Sequence, residues 1–178
     1  MPQNNLPPEP WRSFLTEADA LLHRTTQLHC CGGFVVTQLY GVARFTSDVD
    51  FLGVVPDAWN ELTKLAGKGS SLHQKHKVYL DAVTVATPPE NYHERLIPLF
   101  AGAWPRLHLF ALEAHDLALS KLERNLDRDR DDVQELARAG YLHPDVLEQR
   151  YYAEVRPNLL AHEARHDLTL RLWLESYW

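Results

Sequence analysis

Apolar residues recur at helical spacing between Trp11 and Arg24, at Phe14, Leu15, Ala18, Leu21 and Leu22. That pattern predicts a helix with one buried face, and Ser13 and Thr16 can cap it near its start. Leu28-His29-Cys30-Cys31 is a short apolar run stopped by Gly32-Gly33, which predicts a buried strand entering a tight turn. Phe34 to Tyr40 predicts a short helix with Gly41 at its C-cap. Val49 to Val55 is rich in branched and aromatic residues and is closed by Pro56, so it predicts a second strand. Asp57 can cap a following helix through Leu65. Gly67 to Lys77 reads as a polar loop, and Val78 to Ala86 alternates as a third strand up to Pro88-Pro89.

The second half changes character. Leu112 to Leu126 has helical periodicity, as does Asp131 to Ala139, which ends at Gly140. His143-Pro144-Asp145 opens another helix to about Glu154, and Asn158 to Tyr177 is a last helix with Pro157 at its start. No internal repeat or low-complexity tract is present. The expected class is α+β, a small mixed β-sheet flanked by helices and followed by a helical C-terminal half. The expected organisation is a flexible segment 1–10, a core over 11–104, and a helical region 105–178 packed on that core.

Composition narrows the class. The chain has 178 residues, 45% hydrophobic and 24% charged, an ordinary globular balance outside the Pro-rich stretch from Pro2 to Pro10. The formal net charge of -6 argues against a broad basic nucleic-acid footprint and leaves room for a local one. Cys30 and Cys31 are adjacent, so they make neither a useful structural disulfide nor a zinc site. Reduced cytoplasmic thiols fit best. No charged-then-apolar leader and no membrane-length apolar run is seen, so a soluble protein without a membrane partner is expected.

The candidate chemistry centres on Gly32-Gly33, followed after fourteen residues by Asp48-Val49-Asp50. Acidic residues at i and i+2 on a strand share a face. Their mutual repulsion makes them natural ligands for a hard divalent ion such as Mg²⁺ (or Mn²⁺), which takes carboxylates together with substrate phosphates. The glycines lack Cβ atoms, so their N–H groups can approach an anion closely. Asp81, on the third strand, is an acidic residue among apolar ones and can complete the set. Three carboxylates can hold two metal ions across an in-line displacement at phosphorus, with Asp81 as the candidate base or a ligand of the catalytic ion.

Gly32-Gly33-Phe34 and the run Tyr40 to Leu52, which holds Arg44, Thr46, Asp48 and Asp50 in an Arg-x-Thr-x-Asp-hydrophobic-Asp order, resemble a family signature. It is that of the minimal nucleotidyltransferases of the polymerase-beta-like superfamily, in particular the branch that includes AbiEii-type toxins. Asp81, with Tyr92-His93-Glu94-Arg95 beyond it, is similar to that branch's third-carboxylate strand and the Tyr-x-x-Arg stretch after it. Asp116-Leu117 with Lys121-Leu122, and Arg128-Asp129 with Asp132-Val133, are similar to its C-terminal elements. The resemblance covers roughly residues 10–155. It implies a nucleotidyltransferase fold and an NTP donor. It implies catalytic and metal-binding roles for Asp48, Asp50 and Asp81, and nucleotide contacts from Gly32, Gly33, Arg44, Thr46, Lys121 and Asp132. The acceptor implied is RNA, such as tRNA, or a protein hydroxyl, and a toxin role would bring an antitoxin partner.

Several of these residues have other readings. Lys121 can reach a triphosphate as a mobile cation, or pair with Asp132 and fix one helix to another. Arg44 can grip a phosphate or cap its loop. A catalytically silent nucleotide-binding regulatory module would keep the fold without turnover, although all three carboxylate positions are filled. His162-Glu163-Ala164-Arg165-His166 matches the His-Glu-x-x-His zinc pattern, with Glu175 the one further ligand available downstream, so a zinc hydrolase is a lesser alternative. Lys64, Lys68, His73, Lys75, His76 and Lys77 form a basic cluster that can steer a triphosphate or RNA. Trp173, Tyr177 and Trp178 at helical spacing fit either a core or a dimer face.

Overall fold

A computed structural model describes residues 6–52, 56–84 and 86–178. The expected flexibility of residues 1–5, the end of the second strand at 53–55 and the capping side chain of Asp57 lie outside the described residues. The chain divides into two compact units, Met1–Thr84 with Ile97–Ala111, and Val85–Leu96 with Leu112–Trp178. The α+β class is borne out.

The first unit is built on a five-stranded mixed sheet. Its strands are β1 (Thr26–Cys31), β2 (Asp48–Leu52), β3 (Tyr79–Val83), β4 (Ile97–Leu99) and β5 (Leu107–Ala111), in spatial order β3-β2-β1-β5-β4. β1 pairs antiparallel with β2 and parallel with β5; β2 pairs parallel with β3. The helices of this unit are α1 (Trp11–Leu21), α2 (Gly32–Gln38), α3 (Pro56–Ala66) and α4 (Ser71–His76). Phe14 and Leu15 of α1 and Phe34 and Val35 of α2 are fully buried. Trp11 meets Phe34 edge-on with ring centroids 4.9 Å apart, an arrangement the ring quadrupoles favour.

Three differences from the expected elements have physical causes. Strands β4 and β5 stand in a stretch with little sequence signal. β4 is three residues long and contains Pro98, which an edge strand tolerates because its outer N–H side needs no partner. The expected loop 67–77 contains α4, whose start is capped by the Ser70 hydroxyl accepting the His73 N–H at 3.2 Å. The last helix begins at Glu163, because His162 takes a left-handed φ of 64° and Pro157 sits in a separate 3-10 turn.

The second unit is helical and carries α5 (Ala114–Leu119), α6 (Asp127–Arg138), α7 (Pro144–Arg150) and α8 (Glu163–Tyr177). α7 runs into a π-helical turn at Tyr151–Val155. The helix expected over 112–126 is shorter, giving way to turns after Leu119 and to a left-handed Asn125. A buried ionic cluster organises the unit. Asp116 is fully buried and accepts Arg95 Nε at 2.8 Å, Arg95 Nη2 at 3.1 Å and Arg150 Nη1 at 2.9 Å. Arg95 also holds Glu154 at 2.8 Å, and Arg150 also holds Glu113. No helix among the described residues is long and apolar enough to cross a membrane.

Two stability predictions follow from these contacts. Asp19, on α1, is 5% exposed, and its Oδ1 accepts the N–H groups of Arg106 at 2.8 Å and Leu107 at 2.7 Å, where β5 begins. Asp19→Ala orphans both donors and should cost about 2–3 kcal/mol in urea unfolding. Glu113 belongs to the ionic cluster of the second unit. Burial raises its pKa, but hydrogen bonds from His115 and Arg150 outweigh that and bring it from 4.5 to about 2. Its folded pKa is depressed, so its contribution is present above pH 4.5 and disappears as pH falls towards 2. Glu113→Gln should lower stability at pH 7 by on the order of 2 kcal/mol and flatten the loss of stability between those two pH values in thermal melts. Parallel curves for the two proteins would contradict the assignment.

Candidate metal and nucleotide site

Strand register assembles the acidic cluster. Cys31, the last residue of β1, lies opposite Asp50 of β2, and Asp50 lies beside Asp81 of β3. Asp48, two residues before Asp50, shares its face. Carboxylate oxygens of Asp48, Asp50 and Asp81 all lie within 4.8 Å of one another, with Asp48 and Asp50 half-buried and Asp81 exposed. Three anions at that spacing repel strongly in a partly desolvated setting, and a hard cation relieves it.

The glycine turn follows β1 directly. Gly32 has φ +68°, and a Cβ there would stand 1.9 Å from Asp50 Oδ2. A side chain at position 32 is therefore excluded twice, by backbone conformation and by the carboxylate occupying its space. A Cβ on Gly33 would meet Arg44 Nη2 at 3.0 Å and Thr46 Oγ1 at 3.1 Å. The glycines thus let the Asp50 carboxylate, the Arg44 guanidinium and the Thr46 hydroxyl close over the backbone. Clustered carboxylates and a guanidinium beside a turn without side chains make a donor set that fits a metal ion and a phosphate.

Asp48 is oriented through both oxygens. Thr46 Oγ1 donates to Oδ1 at 2.9 Å and the Tyr79 hydroxyl donates to Oδ2 at 3.4 Å. Burial, then the charge of Asp48, raise the Asp81 pKa, against the opposing pull of Lys68. Burial, then Asp48 and Asp81, likewise raise the phenol of Tyr79. Burial, then Cys31 and Asp50, push the Cys30 thiol well up, keeping it protonated and inert. Lys68 Nζ lies 5.8 Å from the centre of the Tyr79 ring, and the His73 ring meets it edge-on at 5.0 Å. Sequence reasoning missed Tyr79 entirely, because its place beside Asp48 depends on the pairing of β2 with β3.

The structure therefore brings together Gly32, Gly33, Arg44, Thr46, Asp48, Asp50 and Asp81 within the first unit. Lys121 and Asp132 belong to the second, where Lys121 Nζ binds Asp132 at 2.8 Å and Asp129 at 3.3 Å with its side chain 4% exposed. Of the two roles open to Lys121, the internal ion pair is the one seen. The His-Glu-x-x-His segment does not converge. His162 precedes α8, its carbonyl faces His166 Nδ1 at 2.9 Å, and Glu163 pairs with Arg156 at 3.2 Å. Among the described residues, the group of His, Cys, Asp or Glu side chains placed to hold a metal is Asp48, Asp50 and Asp81. Trp173 is a core residue, 3% exposed, and not part of an exposed stripe.

A family model described as "Nucleotidyltransferase of unknown function" (DUF6036) matches residues 13–176. The chain belongs to this family. No curated protein and no solved structure matches it. The acidic cluster is thus found in a chain whose family is a nucleotidyltransferase one, and the match reaches across both units.

The Gly32 contact makes a direct prediction. Gly32→Ala should displace the Asp50 carboxylate and weaken Mn²⁺ binding at least about tenfold, read by calorimetry or by the spin-resonance signal of free Mn²⁺. The strained φ should also cost roughly 1 kcal/mol of stability. Unchanged Mn²⁺ affinity would remove Asp50 from the metal site.

Proposed function

We propose that this chain is a metal-dependent nucleotidyltransferase that moves a nucleoside monophosphate from an NTP to an acceptor. One observation carries the reading: three aspartates from two paired strands converge beside a Gly-Gly turn that admits no side chain. Asp48, Asp50 and Asp81 would hold Mg²⁺ or Mn²⁺. Bound there, a divalent ion would offset phosphate charge and make an acceptor hydroxyl easier to ionise.

The protein's own residues have separable tasks in this reading. Gly32 and Gly33 let the Asp50 carboxylate and the Arg44 guanidinium lie against the turn, where Arg44 would meet a phosphate oxygen. Thr46 holds Asp48 in place. Asp81 is the most exposed of the three carboxylates, which leaves it open to accept the proton of the attacking hydroxyl. The Lys121–Asp132 pair serves the second unit as a rigid link, and a nucleotide contact from Lys121 would require it to leave two buried carboxylates.

The resemblance to the AbiEii-type branch supports a toxin of a toxin–antitoxin system that modifies RNA, such as tRNA, or a protein hydroxyl. That reading carries with it an antitoxin partner and a cytoplasmic setting in which Cys30 and Cys31 stay reduced. A silent regulatory module is less well supported, because such a module has no need of a complete carboxylate set.

The test is incubation of the purified chain with Mg²⁺, each α-labelled NTP, and total RNA or a cell lysate. Transfer of label is expected for the wild type, falling at least about 100-fold in Asp48→Ala and Asp50→Ala while circular dichroism shows an intact fold. If no NTP labels any acceptor, and NTP with metal produces no thermal shift, the reading is wrong.

A further inference from the structure

Residues 62–80 hold four lysines, two histidines and no acidic residue, in a chain of formal net charge -6. Lys75 of this stretch is tied to Glu17 at 2.6 Å. Lys68 is different. Among the described residues its ammonium makes no hydrogen bond or ion pair, and what it meets is the Tyr79 ring, with Nζ 5.8 Å from the ring centre.

Both the backbone and the ammonium of Lys68 are placed by contacts. Gly67 bridges to Leu80 of β3, and its carbonyl accepts the Ser70 N–H at 3.1 Å. The Gly69 N–H donates to His73 Nδ1 at 2.9 Å. The Tyr79 ring has His73 edge-on at 5.0 Å, and its hydroxyl donates to Asp48 Oδ2 at 3.4 Å. Tyr79 and Asp81 are two residues apart on β3, so their side chains share a face of the sheet. A cation over the Tyr79 ring therefore stands on the carboxylate face, and its charge acts on Asp81.

An ion pair with one of the aspartates would make Lys68 a plain counter-ion, and among the described residues no such pair forms. The carboxylates thus stay available to a metal ion while a positive charge stands near them. Three carboxylates and a triphosphate together carry more negative charge than two divalent ions supply, so a side-chain cation has a task once substrate arrives. An ammonium with three uncommitted donors on a four-carbon stem suits a phosphate oxygen.

We propose that Lys68 binds a phosphate of the substrate at the Asp48–Asp50–Asp81 site. The inference rests on the nucleotidyltransferase reading and adds to it a cation that the recognised motifs do not contain. The phosphate can come from the NTP or from the backbone of an RNA acceptor, and both present the same anionic oxygens.

The experiment compares wild type, Lys68→Ala and Lys68→Arg as full-length chains. Calorimetry measures the binding of Mn²⁺ alone, and of inorganic triphosphate and each NTP with Mg²⁺. Anisotropy of a fluorescein-labelled single-stranded RNA 12-mer with Mg²⁺ is followed over a range of salt. Lys68→Ala should weaken the phosphate ligand about tenfold or more, the scale of one charge-assisted hydrogen bond, and Lys68→Arg should restore most of that affinity. Mn²⁺ alone should bind Lys68→Ala as tightly as wild type or more tightly, because a positive charge beside the carboxylates has been removed. A loss shared by NTP and inorganic triphosphate assigns the triphosphate, and a loss confined to RNA, with a shallower salt dependence, assigns the acceptor backbone. Metal and phosphate weakened together would mean that Lys68 only shapes the site, and the inference fails. Wild-type affinity of Lys68→Ala for every phosphate ligand, in a protein whose NTP binding needs Asp50 and metal, overturns the inference alone. A wild type that binds neither NTP nor RNA overturns it together with the reading of the site.

Discussion

The Asp50 carboxylate stands where a side chain at position 32 would be, 1.9 Å from the Cβ that Gly32 lacks. This exclusion links the fold to the chemistry. β1 must end at Cys31 opposite Asp50 for the turn to fall there, and β2 must run antiparallel to β1 for Asp50 to face it. β3 must then lie parallel to β2 so that Asp81 stands beside Asp50. A one-residue slip in either pairing would turn a carboxylate to the opposite face of the sheet. In the same unit the buried faces of α1 and α2 meet through the edge-on rings of Trp11 and Phe34, with Phe14 beside Trp11.

Gathering three carboxylates costs free energy through their mutual repulsion. Thr46 and Tyr79 satisfy the oxygens of Asp48, and Lys68 pulls against the rise in the Asp81 pKa. These are hydroxyl donors and a cation on a flexible stem, none of them a buried counter-ion in bidentate contact. In the second unit buried Asp116 is met by two arginines. Asp116 is thus neutralised by its own guanidinium partners, while three carboxylates with oxygens within 4.8 Å of one another concentrate negative charge that an added cation would relieve.

The parts of this arrangement that sequence made legible are those encoded by near neighbours. Gly32-Gly33 and Asp48-x-Asp50 declare themselves through spacing alone, and Phe14, Leu15 and Ala18 declare the buried face of α1. Asp81 was visible as an acidic residue on an alternating strand, but which face it takes is settled by its register with Asp50. Tyr79 carried no signal, since nothing local ties it to Asp48, thirty-one residues earlier in the chain. β4 and β5 were hidden for a related reason. Pro98 breaks the strand pattern of one, and the other's five residues gain their stability from pairing with β1, 81 residues before them in sequence.

The two lysines nearest to the recognised motifs show how far local pattern and tertiary setting can diverge. Lys121 sits in a stretch that sequence alone picks out as a candidate phosphate contact, yet it is buried between Asp129 and Asp132, with Arg124 also on Asp129. Removing one member of such a cluster leaves a buried charge without its partner, typically a loss of about 3–5 kcal/mol. A residue under that constraint is retained by stability before any contact with substrate is considered. Lys68 lies in a segment that reads as an ordinary polar loop, yet it acts electrostatically on Asp81 and lies above the Tyr79 ring. Lys68 stands in the turn between α3 and α4, where Gly67 bridges to Leu80 of β3, so its effect on Asp81 comes from strand pairing rather than from any motif.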